Sequence, residues 1–307
     1  MINFNNIKDL SKKSLPIGVF DSGMGGLSVL MNLYKLLPNE KYIYLGDTAR
    51  VPYGSKAKES IIEYSKQCVH FLLEQNVKLI VVACNTASSV AMEAISKVAK
   101  DIPVIEMINP ATKGAVNSSN NGKIGIIGTK GTIKSEAYIK SLRKLDSFDN
   151  LKLFPKACPL FVPLVEESLV DHQVTEIITH EYLDEFKTNG IDTLILGCTH
   201  YPFLVSQIVK ALPDVNLIDT GYFAALDTQK KLRELSLEAD INKENQNMLV
   251  NNEQNGDKNI PNDVVNSKKI TNFDIYSTDS STDFKNVAES YLNVILSDVK
   301  KVDISYY

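Results

Sequence analysis

The stretch LIVVACNTASS, Leu79 to Ser89, runs four apolar, mostly β-branched residues into a cysteine followed by Asn85 and Thr86. An apolar run of that kind predicts a strand covered on both faces, here over 79–83, and Asn-Thr-Ala-Ser predicts the start of a helix. Cys84 then stands at the C-terminal end of a strand, the edge of an open α/β sheet where ligands bind. The partial positive charge of the helix start is expected to lower the pKa of its thiol. The competing reading is a small buried hydrophobe, because free cysteine is among the most buried residue types. This stretch alone leaves both readings open.

A second stretch repeats the arrangement. In TLILGCTHYPFL, Thr193 to Leu204, the apolar run Leu194 to Leu196 leads through one small residue to Cys198, Thr199 and His200, with Pro202 near a helix start. The entries to the two regions also echo each other. PIGVFDSGMGG from Pro16 and KIGIIGTKGT from Lys123 are both a short strand running into a loop of glycines and hydroxyls, and Ile17 to Ile124 is nearly the same offset as Cys84 to Cys198. The repeat implies two similar α/β units, each with a thiol at one strand end.

Strand and helix patterns alternate along the chain, which implies a mainly parallel sheet in each unit. Strands are expected at Ile17 to Phe20, Tyr42 to Leu45, Leu79 to Ala83, Val104 to Met107, Ile124 to Ile127, Leu151 to Phe154, Leu194 to Leu196 and Asn216 to Asp219, with helices between them. A last strand and helix, FDIYST and STDFKNVAESYLNVIL, are expected to complete the first unit. The domains are then 1–107 plus 219–307, and 108–218. Residues 241–269, rich in Asn and charge, have little to bury and are expected to form a surface insertion.

Composition excludes several classes. The 307 residues are 44% hydrophobic and 23% charged, which is ordinary for globular domains, and the net charge of -4 gives no general attraction to nucleic acid or anionic lipid. No apolar run approaches the roughly 18 residues needed to span a bilayer, so a cytoplasmic protein with no membrane association is expected. Cys68, Cys84, Cys158 and Cys198 are widely spread without CxxC pairs, and neither a disulfide framework nor a zinc site is indicated. Cys68 falls on the apolar stripe of a helix and reads as core. His70, His172 and His180 lack ligand spacing, so no metal is expected.

The loop DSGMGGLS, Asp21 to Ser28, is not a dinucleotide fingerprint: counted from Gly23, the third glycine of G-x-G-x-x-G is replaced by Ser28. A tight strand-to-helix turn explains its glycines. It does not require Asp21. A carboxylate beside Ser22 and free amides suits a zwitterionic ligand.

Four segments together carry a resemblance. IGVFDSGMGGLSVL, YLGDTARVPYGSK, VVACNTASS and LGCTHYPFL resemble, in order, the signature segments of the glutamate racemases, cofactor-independent enzymes of the aspartate/glutamate racemase superfamily, and the likeness runs from about Pro16 to Asp219. The resemblance implies two α/β domains with the active site in the cleft between them, related by a pseudo-twofold axis, and interconversion of L- and D-glutamate that supplies D-glutamate for peptidoglycan. It implies that Cys84 deprotonates D-glutamate and Cys198 L-glutamate, that Asp21 and His200 are their respective polar partners, and that Ser22, Tyr53, Gly54, Asn85, Thr86, Thr199 and His200 surround the substrate. It also aligns Glu166 with an acid near the second thiol, against the alternative of a solvated residue in the first turn of a helix. Arg50 reads as a residue that holds its loop. No cofactor is implied, and a homodimer stays open. The N-terminal extension before Ser14 and the Asn-rich insertion depart from the pattern without touching a motif.

The chemistry accounts for the duplicated thiol. Inverting an α-carbon needs a base on one face and an acid on the other. A thiol hydrolase would use Cys198 and His200 but leave Cys84 unexplained, and an amino-acid-binding module would gain nothing from two thiols. Aspartate racemase is the nearest rival within the superfamily, and His200 in CTHYP favours glutamate.

Overall fold

The computed structural model describes residues 12–145, 151–240, 272–279, 282–292, 295–296 and 298–307. The expected insertion at 241–269 lies outside the described residues. Among the described residues, ten strands form two sheets: β1 Ile17–Asp21, β2 Tyr42–Gly46, β3 Leu79–Val82, β4 Val104–Ile105, β5 Lys123–Gly128, β6 Lys152–Ala157, β7 Thr193–Gly197, β8 Asn216–Asp219, β9 Phe273–Ser277 and β10 Val299–Lys301. The first sheet has the order β10-β9-β2-β1-β3-β4 and the second β6-β5-β7-β8. Every pairing between described strands is parallel.

The repeat read from the sequence is a repeat of topology. The order second-first-third-fourth occurs once as β2-β1-β3-β4 and again as β6-β5-β7-β8. Ile17 pairs with Leu79 where Ile124 pairs with Thr193. Each thiol stands just beyond the third strand of its unit, Cys84 two residues after β3 and Cys198 directly after β7.

All residues of β1, β2, β3 and β7 are buried, as a parallel sheet covered by helices on both faces requires. Alternation divides them between two cores. Ile17, Val19, Leu79 and Val81 pack with the helix Leu27–Leu36, whereas Phe20, Ile80 and Val82 pack with the helices Lys58–Glu74 and Met92–Ala99. Each such side chain contributes roughly 1.5–3 kcal/mol of burial, so a one-residue slip of register would exchange both sets at once.

The chain passes to the second sheet through the helix Ile108–Ser118 and returns at Asp219. The Asp219 carboxylate accepts from Gly221 N at 2.8 Å and caps the helix Thr220–Glu234. That helix lies against Leu27–Leu36, and β9 then pairs Phe273 with Tyr42. Most strand ends shift by one to three residues: β1, β2, β5, β6 and β7 run past the expected ranges, whereas Ala83 is outside β3, Glu106 and Met107 are outside β4, with Met107 capping the helix that begins at Ile108, and Leu151 precedes β6. β10, with two lysines in three residues, has no apolar pattern to announce it.

Candidate active site

The first sheet delivers Asp21, Ser22 and Cys84 to one edge. Asp21 is the last residue of β1; its Oδ2 accepts from Gly23 N at 3.1 Å and Gly26 N at 3.0 Å, which folds the glycine loop around the carboxylate. A methyl group on Gly26 would lie 2.5 Å from Asp21 Cβ, so the turn admits only glycine there. Tyr44 completes the support by donating its hydroxyl to Gly23 O at 2.7 Å. Cys84 is the residue preceding the helix Asn85–Val90, and its Sγ donates to Ser22 Oγ at 3.7 Å.

The second sheet delivers Cys198, Thr199 and His200. Beyond Cys198 the chain enters a turn and the 3₁₀ helix Tyr201–Leu204, not an α-helix start. His200 Nδ1 lies 3.8 Å from Cys198 Sγ, and its Nε2 lies 3.0 Å from Glu166 Oε1. Glu166 is the last residue of the helix Phe161–Glu166, so the first-turn alternative is incorrect. A half-buried acid thus anchors the far side of a buried imidazole whose near side meets the thiol.

The two edges touch. Thr199 Oγ1 donates to Asp21 Oδ1 at 3.5 Å, and Ser28 Oγ donates to Thr199 O at 2.9 Å. A methyl on Gly25 would stand 2.4 Å from Thr199 Oγ1 and 2.5 Å from His200 Nδ1. Thr86 Oγ1 lies 3.1 Å from Thr129 Oγ1 and 3.3 Å from Thr132 Oγ1, both on the second unit. Asn85 Nδ2 donates to Thr220 Oγ1 at 3.3 Å, and Tyr138 donates its hydroxyl to Asn85 Oδ1. Cys84 and Cys198 are only 4% and 6% exposed, so this arrangement is enclosed.

The electrostatics correct one expectation. The Cys84 thiol is not lowered; burial first and the Asp21 charge second push it up to about 12, against smaller opposing effects of the Ala87 amide and Ser22 hydroxyl. The amides of a short helix do not offset a desolvated site that already holds an anion. His200 moves the other way from what burial alone would do: burial lowers it, but hydrogen bonds to Cys198 and Glu166 prevail and raise it to about 10. The second thiol therefore faces an imidazolium, and the first faces a carboxylate.

Of the residues expected around a substrate, Ser22, Asn85, Thr86, Thr199 and His200 line this junction. The structure does not bring the Tyr53 hydroxyl there, because it is donated to Asp47, 3.9 Å from Cys68 Sγ, in the core of the first unit. Arg50 holds the same loop through Asp47 at 2.9 Å and Gln67, with its guanidinium 4.2 Å over the Tyr64 ring. Gly54 packs against Thr129, where a methyl would approach Cβ to 2.5 Å. Tyr138, Thr132 and Thr220 fall outside the segments that carried the resemblance; Thr129 and Thr132 were visible only as hydroxyls of the KIGIIGTKGT echo. Among the described residues, no group of three or more His, Cys, Asp or Glu side chains is gathered for a metal ion, and no helix is long and apolar enough to cross a membrane.

A repeated parallel α/β fold whose third strands each present a thiol at the same sheet edge, one beside an acid and one beside a histidine, defines a two-unit α/β protein with its polar side chains gathered where the units meet. The chain belongs to the Asp/Glu/Hydantoin racemase family, whose model matches residues 18–226; it is a racemase, an isomerase. It is 50% identical over 222 residues to a glutamate racemase of Persephonella marina, covering 72% of this chain and 84% of that one. Its structure is similar to glutamate racemase from Francisella tularensis in complex with D-glutamate, with TM-score 0.80, 36% identity, and 96% of this chain and 100% of that one covered. A glutamate racemase isoform of Bacillus anthracis gives TM-score 0.81 at 36% identity, covering 95% and 98%.

Proposed function

We propose that the protein interconverts L- and D-glutamate without a cofactor, using Cys84 and Cys198 as opposed acid and base, and that it supplies D-glutamate for peptidoglycan in the cytoplasm. The domains are taken as 1–107 plus 219–307 and 108–218, with the substrate between them. The observation that carries the reading is the pair of thiols on equivalent strands of two units, each with its own polar partner.

In one direction the Cys198 thiolate removes the α-proton, the electron pair remains on the α-carbon, and the Cys84 thiol delivers its proton to the opposite face. Cys198 ends as thiol and Cys84 as thiolate, and the reverse reaction exchanges these roles. His200, protonated and anchored by Glu166, compensates the charge on Cys198 in its thiolate state. Cys84, pushed to about 12 beside Asp21, is a proton donor at neutral pH. The substrate ammonium opposite Asp21 lowers the cost of ionising it, because a cation beside a carboxylate removes the repulsion that a thiolate would meet. The Ser22 hydroxyl, which accepts from Cys84 and keeps its own proton, and the Thr86 hydroxyl supply donors for the α-carboxylate, where carbanion charge accumulates. Enclosure strengthens each of these interactions.

Incubation of L-glutamate with the protein in deuterated water, with proton NMR and chiral chromatography as readouts, tests the reading. Loss of the α-proton signal with appearance of deuterated D-glutamate is expected, and much slower exchange of aspartate. Glutamate that keeps its α-proton, or aspartate exchanging faster, would overturn it.

A further inference from the structure

Tyr138 joins the surroundings of the two thiols in a way the reaction above does not use. It lies in the second unit, in the helix Ala137–Lys144, and is buried. Its ring rests on Gly197, the residue before Cys198: a methyl there would meet Tyr138 Cε2 at 3.1 Å. Its hydroxyl reaches the first unit and donates to Oδ1 of Asn85, the residue after Cys84. The other end of the same amide donates to Thr220 Oγ1, which itself donates to Leu196 O at 3.3 Å. Asn85 is therefore tied twice to the end of β7, once through a ring and once through a hydroxyl.

We propose that Tyr138 is a positioning residue for the racemisation proposed above, its ring gauging the separation of the two thiol-bearing strand ends and its hydroxyl fixing the Asn85 amide toward the substrate carboxylate. This inference rests on that reading. A primary amide can turn over and exchange its oxygen and nitrogen at little cost when nothing holds it. With Oδ1 accepting from Tyr138 and one N–H donated to Thr220, the second N–H has a fixed direction and is free for an anion. The bond forms across the two units, so the amide is oriented only when they are together. Recognition of the substrate carboxylate and approach of the thiols are thereby one event.

The two functions of the side chain separate by mutation. Tyr138→Phe keeps the ring on Gly197 and releases the amide; loss of an oriented hydrogen bond of ordinary strength predicts KM for glutamate up about tenfold and kcat within about threefold of the wild type. Tyr138→Ala also removes the gauge, and kcat falls about 100-fold, the scale of a misplacement of about 1 Å at the reacting atoms. In an Asn85→Ala background Tyr138→Phe has less than about a twofold further effect, because it acts through the amide already removed. A merely structural residue would give the full tenfold in both backgrounds. Thr220→Val, which frees the opposite end of the amide, raises KM in the same way and serves as a second route if Tyr138→Phe folds poorly. The same cycle read as D-glutamate affinity by calorimetry does not depend on turnover. An unchanged KM and affinity in Tyr138→Phe, or multiplicative effects with Asn85→Ala, overturns this inference. Absence of α-hydrogen exchange by the wild type overturns the racemase reading instead.

Discussion

Gly25→Ala is expected to disconnect the two halves of the site while leaving the chain folded. The added methyl would stand 2.4 Å from Thr199 Oγ1 and 2.5 and 2.6 Å from His200 Nδ1 and Cε1. Ordinary contacts between such atoms begin near ~3.5 Å, so the glycine loop and the Cys198 turn must separate by about 1 Å. Overpacking of that kind costs about 1–3 kcal/mol, which the junction can shed by opening. The site cannot: a displacement of about 1 Å at reacting atoms is worth about 100-fold in rate. The expectation is therefore kcat/KM reduced at least about 100-fold, with a melting temperature lower by only a few degrees. Gly190→Ala is the control. Gly190 ends the helix Gln173–Asn189 at φ +63°, where a side chain is strained by about 1–2 kcal/mol, and among the described residues an added methyl there would approach the flexible Lys123 Nζ at 3.3 Å and no other atom as closely. It should lower the melting temperature by a similar amount and leave the rate unchanged. Full activity in Gly25→Ala, or equal rate losses in both variants, would refute the idea that contact between these two turns assembles the site.

Glu166→Gln should lower the His200 pKa from about 10, read from the imidazole resonances in an NMR titration, because it replaces a charged hydrogen-bond partner that raises it with a neutral one. A histidine raised in the folded state stabilises fully below its unfolded value near ~6.5 and loses that contribution as pH rises through about 10. Chemical denaturation should accordingly show the wild type's advantage over Glu166→Gln at neutral pH and its disappearance above about pH 10. Ile304→Ala should destabilise by about 2–5 kcal/mol in the same assay, since Ile304 is buried in the core that holds Phe71 and Cys68 and its removal leaves a cavity; a loss under about 1 kcal/mol would mean that the C-terminal residues are not anchored there.

Nine of the ten described strands were expected from the sequence; β1, β2, β3 and β7 were the plainest, because parallel strands buried on both faces must be written as unbroken apolar runs. β10 was not expected, since Val299–Lys301 sits at the sheet edge and exposes its lysines. The thiols, Asp21 and His200 were legible as residues whose chemistry the turn did not require. Their state was not: helix amides next to Cys84 suggested a lowered thiol, whereas its pKa is decided by burial and by Asp21, which is remote from it in sequence. Glu166 showed the same limit, since its value depends on His200 reaching it from another strand end. The direction of the Tyr53 hydroxyl was equally hidden, because Asp47, six residues earlier, claims it. Tyr138 and Thr220 carried no local signal at all. Each acts by reaching across from one unit to the other, and nothing in the surrounding residues indicates which way it points.

The central claim is that two opposed thiols divide one reaction between them, and single-thiol variants test it most directly. Cys84→Ala and Cys198→Ala should each abolish racemisation. The remaining thiol should continue to exchange the α-hydrogen of one enantiomer with deuterated water from its own face, L-glutamate in Cys84→Ala and D-glutamate in Cys198→Ala, as monitored by NMR on each pure enantiomer. Racemisation persisting in either variant, or both variants exchanging the same enantiomer, would contradict the account.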